Sequence, residues 1–157
     1  MFKNGEIKGV VIRPLNKYTD PRGWLVELFR QDELESEFYP VMSYISMTNP
    51  GVARGPHEHV EQADLFGFIG PSSFKVYLWD NRKNAPTYMC RQVFVVGEGN
   101  PASVLIPPGV VHAYKNIGSV RGIVTNFPNR LFAGEGKKEK VDEIRYENDP
   151  DTQFILD

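Results

Sequence analysis

The sequence predicts an all-β protein, built as a barrel or a sandwich of short antiparallel strands. Runs rich in Val, Ile, Phe and Tyr recur along the chain and are separated by Gly, Pro, Asn and Asp, which is the pattern of strands joined by turns. Apolar residues with helical spacing are scarce. The chain has 157 residues and 41% hydrophobic content, which is enough for one domain with its own core.

Nine runs between residues 5 and 127 predict strands. In residues 74–79 (FKVYLW) and 92–96 (QVFVV), one face of the run is apolar and the other is mixed, which is the period of two expected of a half-buried strand. The predicted strands cover residues 8–12, 24–29, 43–48, 64–69, 74–79, 88–95, 103–106, 112–116 and 122–126.

Only two stretches have helical character. Residues 31–38 (QDELESEF) are short and acidic. Residues 138–146 (KEKVDEIRY) carry apolar side chains at positions 141 and 144, a spacing that predicts one or two helical turns. Residues 134–138 (GEGKK) predict a flexible loop before them.

Composition limits the function classes. A net charge of −2 does not suggest a broad nucleic-acid surface, and no apolar run approaches the roughly 18 residues of a membrane span. No secretory signal is visible, and the single Cys90 predicts a buried small hydrophobe in a cytoplasmic protein. We expect one domain over residues 1–157, with a barrel at about 7–127 and a C-terminal loop and short helical extension at 128–157.

All three histidines fall in two short motifs. Residues 51–59 read GVARGPHEH and are followed by Asp64, which gives the pattern G-x5-H-x-H-x4-D. Residues 107–116 read PPGVVHAYKN, which gives P-x-G-x2-H-x3-N. Both patterns resemble the signature motifs of the cupin superfamily, whose members are small antiparallel jelly-roll β-barrels.

The motif spacings predict a cluster of side chains inside such a barrel. Residues i and i+2 of a strand face the same side, so His57 and His59 project together and Glu58 points away. A later strand brings His112 alongside, and Asp64 supplies a carboxylate. Three imidazoles and one carboxylate suit one divalent transition-metal ion such as Zn, Fe, Mn, Ni or Co, with positions open for water or substrate.

Further segments resemble a narrower family. Residues 20–27 (DPRGWLVE) look like the D-x-RG-aromatic-x-x-E segment of the dTDP-4-dehydrorhamnose 3,5-epimerase family. Residues 54–57 (RGPH) are similar to its RG-x-H motif, and 80–88 (DNRKNAPTY) to its D-x-R-x-x-SPT-aromatic segment. Residues 106–114 (IPPGVVHAY) and 144–151 (IRYENDPD) resemble its IPPG-x-x-H-x-F and IRW-NDPD motifs. This resemblance implies an RmlC-like cupin jelly-roll β-barrel.

The resemblance also implies an activity. The family inverts C3 and C5 of a dTDP-4-keto-6-deoxyhexose, in dTDP-rhamnose and polysaccharide biosynthesis. The ketone acidifies the neighbouring C–H bonds, a base removes a proton, and an acid returns it from the opposite face. By this resemblance His57 is the base and Arg54 stabilises charge near the ketone.

Substrate contacts follow from the same resemblance. Arg22 and Glu27 would hold the nucleotide-sugar, with Arg22 at the diphosphate because a guanidinium fits phosphate oxygens in pairs. His112 also fits a substrate-binding role. Thymine often stacks on an aromatic ring in this family, and residues 24, 29 and 44 all remain candidates.

The chain departs from the family pattern at three places. His59 stands where the family has Gln, and Asp64 stands where it has Lys. The family's catalytic Tyr is absent near residues 125–126, which makes Tyr114 a candidate acid because it lies two residues after His112 on the same strand face. The motifs assign no residue of this chain to the C-terminal Asp that orients the catalytic histidine in the family.

Three functions remain open at this point. The first is a metal-free sugar-nucleotide epimerase without a cofactor and with His57 as base. The second is a metal-dependent cupin enzyme whose ion is held by His57, His59, Asp64 and His112. The third is a non-catalytic sugar-binding barrel. The first two exclude each other at His57, because a metal-bound imidazole cannot accept a proton.

The expected partners are a nucleotide-sugar substrate and a second copy of the chain. Family members are usually homodimers that exchange N-terminal strands, and residues 7–14 are the segment expected to exchange. We expect no nucleic-acid partner and no membrane association.

Overall fold

Thirteen strands and three short 3-10 turns form the regular structure of the computed structural model, which describes residues 1–157. The 3-10 turns are Gln31–Glu33, Ser36–Phe38 and Glu135–Lys137. The strands are β1 (Lys3–Asn4), β2 (Val11–Pro14), β3 (Tyr18–Asp20), β4 (Gly23–Leu25), β5 (Tyr44–Thr48), β6 (Ala53–Glu58), β7 (Asp64–Phe68), β8 (Ser73–Asp80), β9 (Cys90–Gly97), β10 (Ala102–Ile106), β11 (Val110–Asn116), β12 (Gly122–Asn126) and β13 (Ile144–Arg145).

The strands form two large sheets and one hairpin. One sheet has the order β1-β9-β8-β11-β6-β13, and the other has the order β2-β10-β7-β12-β5. Strands β3 and β4 pair only with each other. All pairings are antiparallel except β1 with β9. This architecture confirms the predicted all-β jelly-roll barrel.

The core lies between the two sheets. Its main cluster contains 13 buried residues, among them Phe66 and Val104 of one sheet and Phe74 of the other. A second cluster lies on the outer face of the six-stranded sheet, where Phe154 of the tail covers Trp79. Strand β8 is therefore buried on both faces toward its end, and apolar burial of this kind is the dominant stabilising contribution to a fold.

All nine predicted strands overlap observed ones, with shifted ends at several. The nine predicted runs did not include β1, β3, β6 or β13, although the motif spacing placed His57 and His59 on a strand. Strand β6 was hidden because residues 55 and 56 are Gly and Pro, which ordinarily indicate a turn. The prediction of Cys90 as a buried hydrophobe is confirmed in part, since the free thiol is half-buried against the main core.

The helix predicted over residues 138–146 is not formed, and that prediction was wrong. The C-terminal extension has only the 3-10 turn at Glu135–Lys137, and Ile144–Arg145 is a strand paired with the edge of β6. An isolated helix of so few residues is marginal in water, so pairing with an open sheet edge overrides it. The other short stretch, residues 31–38, forms two 3-10 turns. No helix is long and apolar enough to cross a membrane.

Candidate active site

One large cavity, with a volume of about 1190 Å³, lies between the two sheets. Side chains from both sheets line it, including His57 of β6 and Tyr44 of β5. Residues from the segment 128–147 form much of the remaining wall. Ligand cavities commonly span about 300–1,000 Å³, so this one can hold a ligand of nucleotide-sugar size.

Strand pairing brings the motif residues together, as their spacing predicted. His57 and His112 are direct register partners on β6 and β11, and their ring centroids are 4.4 Å apart. His59 follows β6 and Asp64 begins β7. These four side chains offer ligand atoms that all lie within 4.8 Å of one another. Glu58 points to the other face, where it accepts a hydrogen bond from Tyr146, so the predicted alternation is confirmed.

Gly55 permits the close approach of β6 to β11. Its φ is +81°, and a Cβ atom there would lie 2.5 Å from the carbonyl oxygen of His112. Such a contact is far inside van der Waals distance and involves rigid backbone, so no other residue fits without moving a strand. The pairing of β6 and β11 shifts register immediately beyond, between His112 and Tyr114.

Asp64 is the buried centre of the cluster. Its Oδ2 lies 3.2 Å from Nε2 of His59 and 3.2 Å from Nε2 of His112, and its Oδ1 accepts hydrogen bonds from Asn126 and Gln62. Burial alone would raise the pKa of Asp64, but the histidine contacts hold it well below its usual range. Oδ2 and His112 Nε2 nevertheless lack a hydrogen bond of good geometry, although both are buried.

His59 is charged at neutral pH. Burial alone would lower its pKa, but the contact with the Asp64 carboxylate raises it to about 9. Its other ring nitrogen contacts the backbone oxygen of Asp142. The Asp142 carboxylate in turn accepts three backbone N–H bonds of 2.9 Å each, from residues 60–62. The C-terminal segment is thereby attached beside the histidines.

His57 is neutral at the same pH. Burial is the main cause that lowers its pKa to about 2, and repulsion from His112 and His59 adds to the effect. Glu143 Oε1 lies 3.9 Å from His57 Nε2, and its other oxygen accepts a 2.7 Å hydrogen bond from Arg145. A carboxylate therefore lies close to a neutral imidazole, at a distance beyond that of a direct hydrogen bond. The sequence missed Glu143 because the surrounding residues were predicted to be helical.

Arg54 lines the cavity with a charge that no carboxylate neutralises. Its Nε donates to Thr48 Oγ1 at 3.0 Å, and Nη2 donates to the Met47 backbone oxygen at 2.7 Å. Both partners belong to β5, so the guanidinium is held in place. Its remaining donors are available to an anionic ligand.

Tyr114 lies at the floor of the cavity, with its ring in the core. The ring is only 4% exposed and packs against Phe66, Phe68 and Phe74. Its hydroxyl is 2.9 Å from Ser46 Oγ, and burial raises its pKa. Its proposed role as the acid stays a prediction.

Tyr44 is better placed in the cavity than the sequence indicated. The side chain lines the cavity, whereas Trp24 and Phe29, the other candidates for stacking on thymine, do not. Its hydroxyl accepts a 2.9 Å hydrogen bond from Asn126. Thr125, the other residue near which the family tyrosine would lie, donates a hydrogen bond to the backbone oxygen of Gly67.

Arg22 and Glu27 lie outside the histidine cavity. The Arg22 side chain is 90% exposed on the β3–β4 hairpin and pairs with Asp20. Glu27 lines a separate cavity of about 210 Å³ together with Arg13 and Arg30. Their substrate-binding roles stay predictions.

Several cations of the C-terminal segment line the histidine cavity, and the sequence did not single them out. Lys137 and Lys140 are among them, and neither has a carboxylate partner within 4.0 Å. Arg130 pairs with Glu61 at 3.1 Å, and Arg145 pairs with Glu143 at 2.7 Å. The wall thus combines paired and unpaired positive charges.

His57 and His59 line the cavity, whereas His112 and Asp64 are buried behind them, so the substrate-binding role of His112 stays a prediction. A jelly-roll barrel with such a cluster of three histidines and a carboxylate defines a cupin-type protein. The model of the dTDP-4-dehydrorhamnose 3,5-epimerase family matches residues 4–127. The chain belongs to this family and is an enzyme of the sugar-epimerase type.

Individual relatives agree with this assignment. The chain is 38% identical over 135 residues to Agl13 of Haloferax volcanii, a probable low-salt glycan biosynthesis epimerase, covering 85% of this chain and 86% of the relative. It is 34% identical to the spore coat polysaccharide biosynthesis protein SpsL of Bacillus subtilis, covering 85% and 87%. A dTDP sugar isomerase structure from Desulfovibrio desulfuricans G20 superimposes with a TM-score of 0.79 at 20% identity, covering 92% and 87%.

Proposed function

We propose that the protein is a nucleotide-sugar epimerase that acts on a dTDP-4-keto-6-deoxyhexose in deoxysugar and polysaccharide biosynthesis. The observation that carries the proposal is a neutral His57 in a cavity that also presents the unpaired charge of Arg54. Membership of the epimerase family supplies the reaction class.

The residues can carry out the first half of the reaction. His57 removes the proton next to the ketone, and the electron pair of the broken C–H bond moves to the carbonyl oxygen. Arg54 is the available positive donor for the resulting enolate oxygen, and a donor held before the reaction stabilises developing charge. The carboxylate of Glu143, 3.9 Å from Nε2, is the negative charge placed to favour the imidazolium that forms on His57.

The anionic part of the substrate would meet the C-terminal segment. Lys137 and Lys140 are the cations in that wall without carboxylate partners. Two such free positive charges suit a diphosphate. Arg22 and Glu27 would have to reach the cavity from another copy of the chain, because neither lines it in its own chain.

We therefore extend the proposal to a homodimer in the cytoplasm. The β3–β4 hairpin exposes apolar side chains, with Trp24 53% and Leu25 62% exposed, as expected of a surface that another copy covers. Strand β2 pairs with β10 of its own chain, so exchange of residues 7–14 would replace that pairing with an equivalent one. Light scattering of the purified protein tests the assembly, and a monomer at micromolar concentration would contradict it.

Solvent exchange tests the proposed reaction. We expect dTDP-4-keto-6-deoxyglucose incubated with the enzyme in D2O to gain deuterium at C3 or C5 and to form an inverted product. Failure of the wild-type enzyme to exchange either position, across several nucleotide-linked keto-sugars, rules the proposal out. Affinity for such a sugar without exchange would instead support a binding protein.

A metal-dependent enzyme is a second candidate, and one observation favours it. Asp64 Oδ2 and His112 Nε2 are buried without hydrogen-bond partners, at the centre of four side chains that could ligate an ion. Tetrahedral Zn²⁺ places ligand atoms roughly 3.3 Å apart, close to the observed 3.2 Å from Asp64 Oδ2 to two of the histidines. A bound divalent ion would supply Lewis-acid chemistry toward a carbonyl.

Metal content distinguishes the two candidates without an activity measurement. The protein should be purified without chelators and its metals quantified, alongside His112→Ala and the exposed control Glu61→Ala. About one equivalent that is lost in His112→Ala and kept in Glu61→Ala supports the metal site and removes His57 as a free base. Metal-free protein with a melting temperature unchanged by Zn²⁺, Mn²⁺ or Ni²⁺ contradicts it.

A further inference from the structure

An inverting epimerase needs an acid facing its base, and the structure points to a hydroxyl for this role. Inversion requires that the proton leave from one face of the sugar carbon and return to the other. His57 belongs to the six-stranded sheet, so we expect the acid to belong to the five-stranded sheet on the other side of the cavity. Strand β5 of that sheet contributes Tyr44 and Ser46 to the lining.

We propose that Tyr44 is the general acid of the reaction, a role that rests on the epimerase function proposed above. Its side chain lines the cavity opposite the His57 sheet and is 43% exposed, so a bound sugar can reach it. Tyr114, by contrast, belongs to the same sheet as His57 and is 4% exposed.

The hydrogen bonds of Asn126 orient the Tyr44 hydroxyl. Asn126 Oδ1 accepts from the backbone N–H of Leu65, which identifies the other terminal atom as the amide nitrogen. This nitrogen donates to Asp64 Oδ1 and to Tyr44 Oη, each at 2.9 Å. Both amide protons are therefore used, and the Tyr44 oxygen is an acceptor in its bond with Asn126.

The proton of Tyr44 consequently remains free for a ligand. No protein acceptor takes it, whereas the Tyr114 hydroxyl shares a hydrogen bond with Ser46. Once Tyr44 has given up its proton, the phenolate oxygen keeps the hydrogen bond from Asn126. Burial and the charge of Asp64 raise the pKa of Tyr44, so the phenol stays protonated until the sugar carbon takes its proton, and the bond from Asn126 partly offsets the cost of the phenolate.

The step balances in protons and electrons. The enolate electron pair returns to the ring carbon, and that carbon forms a new C–H bond with the Tyr44 hydroxyl proton as the O–H bond breaks. The enzyme is left with a protonated His57 and a Tyr44 phenolate. A proton lost from His57 to cavity water and one regained by Tyr44 restore the starting state.

The position of Tyr44 also explains how this chain can do without the tyrosine of the family motif. Residues 125–126 hold no tyrosine, and Asn126 is instead the register partner of Tyr44 on the neighbouring strand. A phenol is thereby brought next to the same point of the barrel from β5 rather than from β12.

Tyr44→Phe tests the assignment by separating exchange from inversion. In D2O, the variant should still exchange the substrate proton, because His57 removes it and returns a deuteron to the same face. The inverted product should fall by about 100-fold or more, the usual contribution of a general acid. Tyr88→Phe, a change at a partly exposed tyrosine outside the cavity, is the matched control and should leave both readouts unchanged.

Each other result overturns the assignment. Full inversion by Tyr44→Phe would rule out Tyr44 as the acid and leave the epimerase function standing. Loss of inversion in Tyr114→Phe, with inversion kept in Tyr44→Phe, would have the same consequence. Equal loss of exchange and inversion in Tyr44→Phe makes the residue a binding group. Absence of exchange in the wild-type enzyme removes the epimerase function and the role of Tyr44 together. Circular dichroism and thermal unfolding of each variant establish that it is folded.

Discussion

Glu143 Oε1 lies 3.9 Å from Nε2 of His57, although the two residues are far apart in sequence. Strand β13 creates this proximity, since Arg145 pairs directly with His57 along the edge of β6. The proposed base therefore depends on a segment that follows all the other strands in sequence.

Glu143→Gln should slow the reaction without weakening substrate binding. The amide keeps the shape of the side chain and removes the charge that stabilises a protonated His57. We expect kcat to fall by about 10–100-fold with KM little changed, which is less than the roughly 10²–10⁴-fold effect of a general base because Glu143 acts through His57. Steady-state kinetics of this variant and of Glu35→Gln, an exposed carboxylate outside the cavity, make the test. A purely raised KM would assign Glu143 to substrate binding instead.

Replacing the base itself should have a larger effect. His57→Asn should lower both solvent exchange and inversion by about 10²–10⁴-fold, because the enolate can no longer form by this route. Deuterium incorporation followed by mass spectrometry measures the first step alone. Exchange at the wild-type rate in His57→Asn would show that another group removes the proton.

Gly55→Ala should disrupt the site through the backbone. The added methyl group would lie 2.5 Å from the His112 carbonyl oxygen at a residue whose φ is +81°. We expect a loss of at least about 1–3 kcal/mol in the free energy of unfolding, together with loss of activity as His57 moves. Gly99→Ala is the matched control, since nothing lies within 4 Å of a Cβ atom there. Equal urea midpoints for the two variants would contradict the prediction.

The carboxylate of Asp142 should stabilise the fold in a pH-dependent way. Its hydrogen bonds from the backbone of residues 60–62 lower its pKa despite opposing partial burial. Because its pKa is lower in the folded protein than in the unfolded chain, the Asp142 carboxylate stabilises the fold above about pH 3.9, the usual pKa of an unfolded Asp. That stability is lost as the pH falls through the folded-state pKa.

The free energy of unfolding of Asp142→Ala should therefore be lower than that of the wild type by about 1–3 kcal/mol at pH 7, the usual cost of losing hydrogen bonds to a charged group. Urea unfolding should show the difference between variant and wild type shrinking below about pH 4. A difference that stays constant down to pH 2 would mean that the carboxylate charge contributes nothing.

The histidines should titrate very differently in the metal-free protein. His59, with a pKa raised to about 9 by Asp64, should remain charged at neutral pH, and His57 should remain neutral down to about pH 2. The stability due to His59 is complete below its unfolded pKa near 6.5 and is lost as the pH rises through about 9. Nitrogen NMR shifts of the rings measure both values, and two ordinary titrations near pH 6.5 would contradict this arrangement.

The prediction from sequence succeeded where chemistry is local. The i, i+2 spacing of His57 and His59 placed both on one strand face because side chains alternate along a strand, and a cluster with Asp64 and His112 followed from the motifs. Periodicity similarly identified strand β8, because side chains over residues 74–79 alternate with the period of two that a strand imposes.

The same reasoning failed where a residue depends on a distant partner. Residues 138–146 have a spacing that suits a helix, but the open edge of β6 provided backbone hydrogen bonds that a short helix could not match. That failure concealed Glu143. The pairing of Asn126 with Tyr44 was hidden for a related reason, since strand order within a sheet does not follow sequence order.

The sequence by itself therefore determined the β-barrel, the family and the four residues of the histidine cluster. Each of these follows from alternation, turn chemistry or motif spacing over a few residues. Only the tertiary structure decided which imidazole is charged, which hydroxyl is free and which carboxylate faces His57. Protonation and hydrogen bonding depend on burial and on contacts between distant segments, and those exist only once the two sheets have closed around the cavity.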